Sequence, residues 1–351
     1  MGSGSPRGPQ TVVVTGAAGP LGRHVIEHLV ADERVDRVVA LDDRALSVRP
    51  PGVEDHRVDL GQADLKPLFE GASTVIHLTR WGGPLDAVSA ARTGAAARVL
   101  DAAASVSAEQ VVVLSSATAY GAWANNPVPL TEDAPLRPNP GVAVAAEAAE
   151  LERIVGEWRD DHPGTRVAVL RPAVTVTAEG NDWLAEALDR STSVPITDDE
   201  PPAQFLDIAD LARAIDTARV EGLDGPRNVA PDGWVDGETV RALAGGGPRL
   251  RVPERLALRL ARLGWSWGFA ATPPALLPYT AHSWVIANDR LKADGWEPVL
   301  SNEEAYVGAH RASPWATLSP RRRQELALGA AGVGIVALLV GAIALVRRRR
   351  R

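Results

Sequence analysis

TVVVTGAAGPLGR, residues Thr11–Arg23, joins three local patterns that together decide the fold. The apolar run Val12–Val14 predicts a strand buried on both faces, and it is followed by Gly16, Gly19 and Gly22. An amphipathic pattern after the glycines predicts a helix. Glycines at such a turn let the backbone approach a pyrophosphate, whose charge is met by the free N–H groups at the helix N-terminus. The alternative interpretation is an ordinary turn.

A pair of carboxylates follows the second apolar strand. Asp42 and Asp43 come directly after Arg37–Leu41, about 20 residues beyond the last glycine of the turn. A carboxylate there accepts hydrogen bonds from ribose hydroxyls and repels a 2′-phosphate. The sequence therefore favours NAD over NADP, although Arg44 next to the pair opposes that preference.

Further motifs appear in a fixed order along the chain. They are DL at Asp59–Leu60, VIHLT from Val75, LSSATAYG from Leu114 and LRPAV from Leu170. Together with the glycine turn they resemble the extended short-chain dehydrogenase/reductase family, the NAD-dependent epimerases and dehydratases, over residues 11–310. The resemblance implies NAD as cofactor, with its contacts at Gly16, Gly19, Gly22, Asp42, Asp43, Asp59, Leu60 and His77.

The order of apolar strands and helical stretches predicts an α/β fold with a doubly wound, Rossmann-type parallel sheet. Strands are predicted near 11–15, 37–41, 56–60, 73–78, 110–115 and 165–170, and helices near 20–32, 84–105 and 142–160. Residues 176–310 are expected to form a smaller substrate lid interleaved with the sheet of the dinucleotide-binding domain, residues 11–175. In this half, helices are predicted over 207–220, 236–244 and 254–263, and 227–235 is expected to return to the sheet.

Composition and charge exclude some classes of site and argue against some classes of partner. The chain has 351 residues, 45% of them hydrophobic, and no cysteine, which excludes disulfides and thiolate chemistry. Its seven histidines show no metal-ligand spacing, and no metal site is predicted. The first 310 residues carry a net charge of −15, from 28 basic and 43 acidic residues, which argues against nucleic acid as a partner. Residues 1–10 lack the apolar core of an export signal and are expected to be a flexible leader.

The segment Leu326–Val346 contains 21 residues without charge or proline. That length spans the hydrocarbon core of a bilayer, and arginines flank it in the linker 311–325 and the tail 347–351. We therefore predict a single C-terminal transmembrane helix that anchors a cytoplasmic globular domain to the cell membrane. A buried core helix is the alternative. Five arginines in the tail conflict with the positive-inside tendency, so the orientation stays open.

The residues that would perform the chemistry depart from the family pattern. The resemblance implies a serine that binds the substrate oxygen, a tyrosine as general acid/base and a lysine four residues later. Ser116, four residues before Tyr120, matches the serine. Aligning the family helix through its acidic residue, Glu150, places Val142 and Ala146 at the tyrosine and lysine positions. None of the three tyrosines in the chain is followed four residues later by a lysine.

Tyr120 and His77 are the candidate replacement acids, and Ser116 completes the candidate catalytic set. Each also has a structural interpretation: Ser116 as the cap of a turn, Tyr120 and His77 as packed side chains. Thr79–Trp81 replace the small residues usual after the fourth strand, which predicts a crowded nicotinamide half-site. Most of the ten tryptophans are expected in the core, although Trp265, Trp267 and Trp284 also fit a membrane-interface belt.

Three functions follow from these observations. The first is a membrane-anchored NAD-binding protein without turnover, a pseudoenzyme with a regulatory or structural role. The second is an active oxidoreductase or epimerase on a nucleotide-linked sugar or a lipid-linked substrate, using an atypical acid. The third is a scaffold with an empty pocket. A dinucleotide, the membrane, and a second copy or a membrane protein are the expected partners.

Overall fold

A computed structural model describes residues 10–78, 90–178, 185, 201–243 and 273–310, together with 256, 259, 262, 263, 265 and 266. Over these residues the chain forms a central parallel sheet covered by helices on both faces.

Seven strands form the central sheet in the order β3-β2-β1-β4-β5-β6-β9, and every neighbouring pair is parallel. Their bounds are β1 Gln10–Thr15, β2 Val35–Asp42, β3 Val53–Arg57, β4 Thr74–His77, β5 Gln110–Leu114, β6 Arg166–Pro172 and β9 Gly225–Val229. The remaining strands, β7 Val174–Val176 and β8 Phe205–Asp207, pair with each other in parallel.

Among the described residues, the first four helices lie between strands and the other four follow β9, the last strand. They are α1 Pro20–Ala31, α2 Ala90–Ser105, α3 Ala143–Asp161, α4 Ile208–Glu221, α5 Gly237–Leu243, α6 Leu277–Ala281, α7 Asp289–Ala293 and α8 Asn302–Ala309. The predicted doubly wound fold is therefore confirmed.

The alternation of side chains along the strands explains why both sheet faces are covered. Val12 and Val14 of β1 belong to one apolar cluster with α1 and α4, whereas Val13 belongs to a second cluster with α2 and α3. Successive strand residues point to opposite faces, so a strand apolar at every position needs a helical layer on each side. Each fully buried valine contributes about 1.5–3 kcal/mol.

The second half of the chain packs against the start of α3. Val142, Val144 and Ala145 there form a third apolar cluster with Val176, Leu276 and Tyr279. Asp210 of α4 holds the segment before α8 against the fold. Its buried carboxylate accepts hydrogen bonds from the backbone N–H groups of Val299 and Leu300. The predicted return to the sheet is β9, and Trp296 packs after Gly295 as expected.

Several boundaries differ from the sequence prediction or fall outside the described residues. The third strand was predicted at 56–60 but lies at Val53–Arg57, because Asp59 begins a turn in which its carboxylate accepts from the Gly61 N–H. The predicted start of α2 at 84 lies outside the described residues. Within the described chain no helix combines the length and apolar character of a bilayer span, and Leu326–Val346 lies outside it.

Candidate functional site

The candidate site lies at the carboxyl ends of β1 and β4, the two strands at which the sheet order reverses direction. Ligands of open parallel sheets bind at this switch point, because the loops leaving the two strands run to opposite faces. Thr15 ends β1 and His77 ends β4, and the two residues are paired in register. The glycine turn and Leu78 follow directly.

Gly16 begins the turn in a left-handed conformation, with φ of +74°. A Cβ atom at this position would lie 2.2 Å from the Leu78 carbonyl oxygen. The Gly16 N–H donates to the carbonyl oxygen of Leu41 at 2.9 Å. Only glycine combines this backbone conformation with this close approach to β4.

Gly22 and Gly19 have different surroundings. A Cβ atom on Gly22 would lie 2.2 Å from the Ala17 carbonyl oxygen, so this glycine lets α1 pack on the turn. Among the described residues, the atom nearest to a Cβ on Gly19 would be the Gly16 carbonyl oxygen, at 3.9 Å. Gly19 is the N-cap of α1 with extended backbone, no side-chain cap and no acidic residue in the first turn. This helix end therefore offers N–H groups and open space to an anion.

Asp42 links the glycine turn to the end of β2 by hydrogen bonds. Its Oδ2 accepts from the Ala18 N–H at 3.0 Å and its Oδ1 from the Arg44 N–H at 3.0 Å. Only 3% of Asp42 is exposed. Asp43 is largely exposed, and the Arg44 Nε lies 3.7 Å from the Asp42 carboxylate and 3.8 Å from that of Asp43. Two carboxylates thus surround one guanidinium, and a second guanidinium, that of Arg57, donates to the Asp43 carbonyl oxygen at 2.9 Å at the same edge.

Asp59 and Leu60 follow β3 at the same edge of the sheet. The Asp59 carboxylate accepts from the Gly61 N–H at 2.8 Å and from the Gln62 side-chain amide at 2.9 Å. The Leu60 carbonyl oxygen accepts from Arg98 of α2 at 3.2 Å. These bonds fix the loop that follows β3.

The His77 side chain is buried beside the end of β1. Its Nδ1 lies 2.7 Å from the Thr15 hydroxyl oxygen, and burial lowers its pKa to about 4. The ring is therefore neutral at pH 7. Its Nε2 has no hydrogen-bond partner among the described residues, although Thr79–Trp81, which follow this strand, lie outside them.

Ser116 caps the short 3-10 turn that follows β5, residues 117–120. Its Oγ accepts from the N–H of Thr118 at 3.2 Å and from the Thr118 hydroxyl at 2.9 Å. Ser116 therefore caps the turn, as its structural interpretation predicted. Its position at the carboxyl end of β5 also places it on the side of the sheet where the glycine turn lies.

Tyr120, at the end of this turn, belongs to a buried polar network. Its hydroxyl donates to the Asn228 Oδ1 at 2.8 Å and accepts from the Arg171 Nη1 at 2.6 Å. Arg171 in turn makes a double ion pair with Glu152 of α3, with a shortest N–O distance of 2.6 Å. Glu152 also accepts from the Ser115 hydroxyl at 2.6 Å.

Sequence reasoning missed this network. Its members lie far apart in the chain: the quoted motifs contain Ser115, Tyr120 and Arg171, but no sequence pattern pointed to Glu152 or to contacts among these residues. Tyr120 is 1% exposed, and burial raises its pKa to about 12 despite the adjacent guanidinium. The hydroxyl therefore stays protonated at neutral pH.

The first turns of α3 carry neither a tyrosine nor a lysine, and their ionisable groups are the carboxylates of Glu147, which is buried, and Glu150. Val142 is the buried N-cap of the helix, and Ala146 lies one turn later. Glu150, on which the alignment rests, is paired at the surface with Arg153, whereas Glu152 is the glutamate that reaches the sheet.

Counting eight residues back from Glu152 instead of Glu150 gives Val144, with Ala148 at the lysine position. Neither register supplies a tyrosine or a lysine.

A second phenol reaches the Ser116 turn from the other half of the chain. Tyr279 of α6 donates to the Thr118 carbonyl oxygen at 2.8 Å, and burial raises its pKa above the ordinary value. The third tyrosine, Tyr306, packs against Phe205 and is also buried. Lys66 is exposed at the surface, and Lys292 is paired with Asp232 at 2.9 Å.

The family model for NAD-dependent epimerases and dehydratases matches residues 12–229, well over half of the chain. This chain belongs to the NAD-dependent epimerase/dehydratase family. The match begins in β1 and ends in β9, so it contains every strand of the central sheet.

The curated relatives that match this chain are described as uncharacterized proteins. Uncharacterized proteins of Mycobacterium tuberculosis and Mycobacterium bovis are 26% identical over 244 residues. The aligned region covers 65% of this chain and 64% of the length of each relative.

Solved structures share the fold at low identity. MoeE5 in complex with UDP-glucuronic acid and NAD is 18% identical with a TM-score of 0.63, over 85% of this chain and 97% of that one. The UDP-glucose 4-epimerase of Thermus thermophilus in complex with NAD is 21% identical with a TM-score of 0.61, over 86% and 97%. The dTDP-glucose 4,6-dehydratase DesIV of Streptomyces venezuelae, with NAD bound, is 16% identical with a TM-score of 0.62, over 86% and 95%.

Proposed function

We propose that this member of the family is a membrane-anchored NAD-binding protein that has lost its proton relay and acts as a regulatory or structural component, without substrate turnover. One observation carries the proposal. The cofactor turn is complete and open at Gly19, whereas α3 presents Val142 and Ala146 in place of a phenol and an ammonium.

The cofactor half rests on geometry and charge. At Gly19, the N-terminus of α1 has only the Gly16 carbonyl oxygen within 4 Å of the Cβ position among the described residues, which leaves room for a pyrophosphate. The Asp42 and Asp43 carboxylates at the ribose edge repel a 2′-phosphate, whereas the guanidinium groups of Arg44 and Arg57 beside them oppose this preference. Relatives of the same fold hold NAD. NAD is therefore the proposed cofactor, and NADP is expected to bind more weakly.

The proposed loss of turnover is supported by the pKa values of the two candidate acids, Tyr120 and His77. A general acid/base works best when its pKa lies near the operating pH. Burial moves the pKa of Tyr120 to about 12 and that of His77 to about 4, so neither group exchanges a proton readily at pH 7. Both side chains also have structural hydrogen-bond partners. Their catalytic roles remain predictions.

The second candidate function is an active oxidoreductase or epimerase that uses Tyr120. One contact favours it: the Arg171 guanidinium lies 2.6 Å from the phenol oxygen, where it could stabilise a phenolate as the family lysine does. Ser116 would then bind the substrate oxygen. Nucleotide-linked sugars are the substrate class of this alternative, since relatives of the same fold are complexed with them.

Calorimetric titration with NAD and then NADP, followed by a search for cofactor reduction, tests the proposal. We expect saturable NAD binding, weaker NADP binding and no turnover. An absence of NAD binding would favour the scaffold with an empty pocket. Turnover that is lost in Tyr120→Phe would establish the active alternative.

A chain ending at Pro320 is expected in the soluble fraction, whereas the full chain is expected in membranes. The reason is that truncation removes Leu326–Val346, the 21-residue apolar segment. Ultracentrifugation of lysates, with NAD binding as a check on folding, measures the difference. A truncated chain that folds but still sediments would assign the anchor to another part of the protein.

Restoring the relay with Val142→Tyr and Ala146→Lys is expected to give measurable NAD-dependent oxidation of a nucleotide-linked sugar. General acid/base groups contribute about a hundred- to ten-thousand-fold, so a rate rising from the background by that factor is the expected result. The control is Val142→Phe with Ala146→Met, which matches the size of both side chains without the relay. Equal rates in the two variants would contradict the assignment of these positions.

A further inference from the structure

We propose that a surface cavity beside the end of β9, between the loop of residues 231–234 and residues 286–292, binds a neutral sugar. The cavity has a volume of about 340 Å³, within the range of small-molecule sites in proteins. β9 lies three strands from β4 in the sheet, about 14 Å at the ordinary strand spacing. The cavity is therefore separate from the cofactor turn, and it requires neither NAD binding nor the membrane anchor.

Buried amide side chains hold the walls of this cavity in place. The Gln204 side chain donates to the carbonyl oxygen of Gly233 at 2.8 Å and to that of Ile286 at 3.0 Å. The Asn302 side chain donates to the Asp232 carbonyl oxygen at 3.1 Å. These bonds join segments that are far apart in the chain, so the two walls keep a fixed separation. A ligand therefore finds a site that is already ordered, which lowers the entropic cost of binding.

A carboxylate, an ammonium and an amide form the polar side of the cavity. The Asp232 carboxylate accepts from the Lys292 Nζ at 2.9 and 3.0 Å and from the Asn288 side-chain amide at 2.9 Å. The bond from Asn288, followed by that from Lys292, lowers the pKa of Asp232, which is ionised at pH 7. Capacity for a ligand remains. The Asp232 Oδ2 can accept another hydrogen bond, the ammonium has a third N–H, and the Asn288 Oδ1 accepts no hydrogen bond from the described residues.

An exposed indole forms the apolar side of the cavity. The expectation that most tryptophans lie in the core is met by Trp158 and Trp296, which are buried, but not by Trp234, which is 44% exposed. Trp234 lines the cavity together with Pro129 and Pro231. An indole contributes a large, flat apolar face to a ligand that has an apolar face of its own.

These groups together select the class of ligand. A pyranose ring carries C–H groups on its face and hydroxyls at its edge, so it can pack on the indole while its hydroxyls bond to the carboxylate and the amide. An anion is disfavoured because two carboxylates, Asp232 and Asp289, line the cavity against one ammonium, Lys292. A cation is disfavoured because that ammonium already binds the Asp232 carboxylate. A wholly apolar ligand would take these polar groups out of water without replacing their hydrogen bonds.

Saturation-transfer difference NMR on the full chain in lipid nanodiscs tests the site. The probes are the methyl glycosides of glucose, galactose, mannose and N-acetylglucosamine. We expect saturable transfer to the ring C–H protons of at least one of them, unchanged by NAD or UDP. Trp234→Ala is expected to weaken this binding about tenfold, because it removes the surface on which the sugar packs. The matched control is Trp265→Ala, at a tryptophan that is 41% exposed outside this cavity, and it is expected to bind like the unaltered chain.

A second variant, Asp232→Asn, keeps the shape of the side chain and removes its charge. It is also expected to weaken sugar binding about tenfold, because hydrogen bonds to a charged group are stronger than those to a neutral one. The unfolding temperature of each variant checks that it is folded. The absence of transfer to all four sugars, or equal transfer in Trp234→Ala and Trp265→Ala, would overturn the inference. Competition by UDP would overturn it in favour of the substrate cleft, and binding of tetramethylammonium or inorganic phosphate that depends on Trp234 would overturn it in favour of a charged ligand.

Discussion

Replacing Gly19 with valine is expected to abolish NAD binding while the protein stays folded. The extended backbone of Gly19, with φ of −79° and ψ of 169°, suits any residue, and its Cβ position is open. The valine side chain would instead occupy the space in front of the α1 N-terminus, where the pyrophosphate must approach. Calorimetric titration of the variant with NAD measures the effect.

Two other glycines serve as controls for this prediction. Gly164 lies in a surface turn with no atom near its Cβ position, so Gly164→Val is expected to bind NAD like the unaltered chain. Gly22→Val is expected to cost about 1–3 kcal/mol of unfolding free energy, because its Cβ would collide with the Ala17 carbonyl. Unchanged NAD affinity in Gly19→Val would refute the assignment of the glycine turn to the cofactor.

Replacing Arg171 with methionine is expected to lower the free energy of unfolding by about 3–5 kcal/mol. The substitution leaves the Glu152 carboxylate buried without its cation, and the loss of one partner of a buried ion pair has effects of this size. It also removes a hydrogen bond to the Tyr120 hydroxyl. Denaturant unfolding monitored by fluorescence measures the change.

Arg153→Met is the matched control, on the same helix as Glu152. Arg153 also forms ion pairs with glutamates, Glu150 and Glu157, but at the surface. Water screens such pairs, so we expect little change in the unfolding midpoint. A second variant, Arg171→Met with Glu152→Leu, is expected to regain part of the stability, because no unpaired charge stays buried. Equal effects of Arg171→Met and Arg153→Met would contradict the role of burial.

These two predictions describe the two parts of one site. The glycine turn is the proposed cofactor edge, and the Arg171–Glu152 pair connects β6 to α3 and, through Ser115, to the end of β5. Ser116 is the next residue. Loss of the pair is therefore expected to disturb the Ser116 turn as well as the stability of the fold.

Local periodicity was sufficient to predict the sheet and its helices. Strands such as Val12–Val14 are apolar at consecutive positions, and this pattern requires a layer of helices on each face whatever the rest of the chain does. The glycine turn could also be predicted, because a positive φ and a close approach of the backbone each require glycine at a single position. The third strand was misplaced because V-E-D-H-R is polar and pairs through its backbone with β2.

Residue types at fixed spacing were therefore enough to predict the fold and the glycine turn, and to show that no tyrosine is followed by a lysine four residues later. The contacts of the folded chain were needed to show that Asp42 bonds to the glycine turn, that Tyr120 and Arg171 share a buried network with Asn228, and that Leu256, Leu263 and Trp265 are exposed. These depend on contacts between residues up to 108 positions apart and on which face of a helix is covered. Burial and partner together set the pKa of an acid, so its chemical role follows from packing and not from the local sequence.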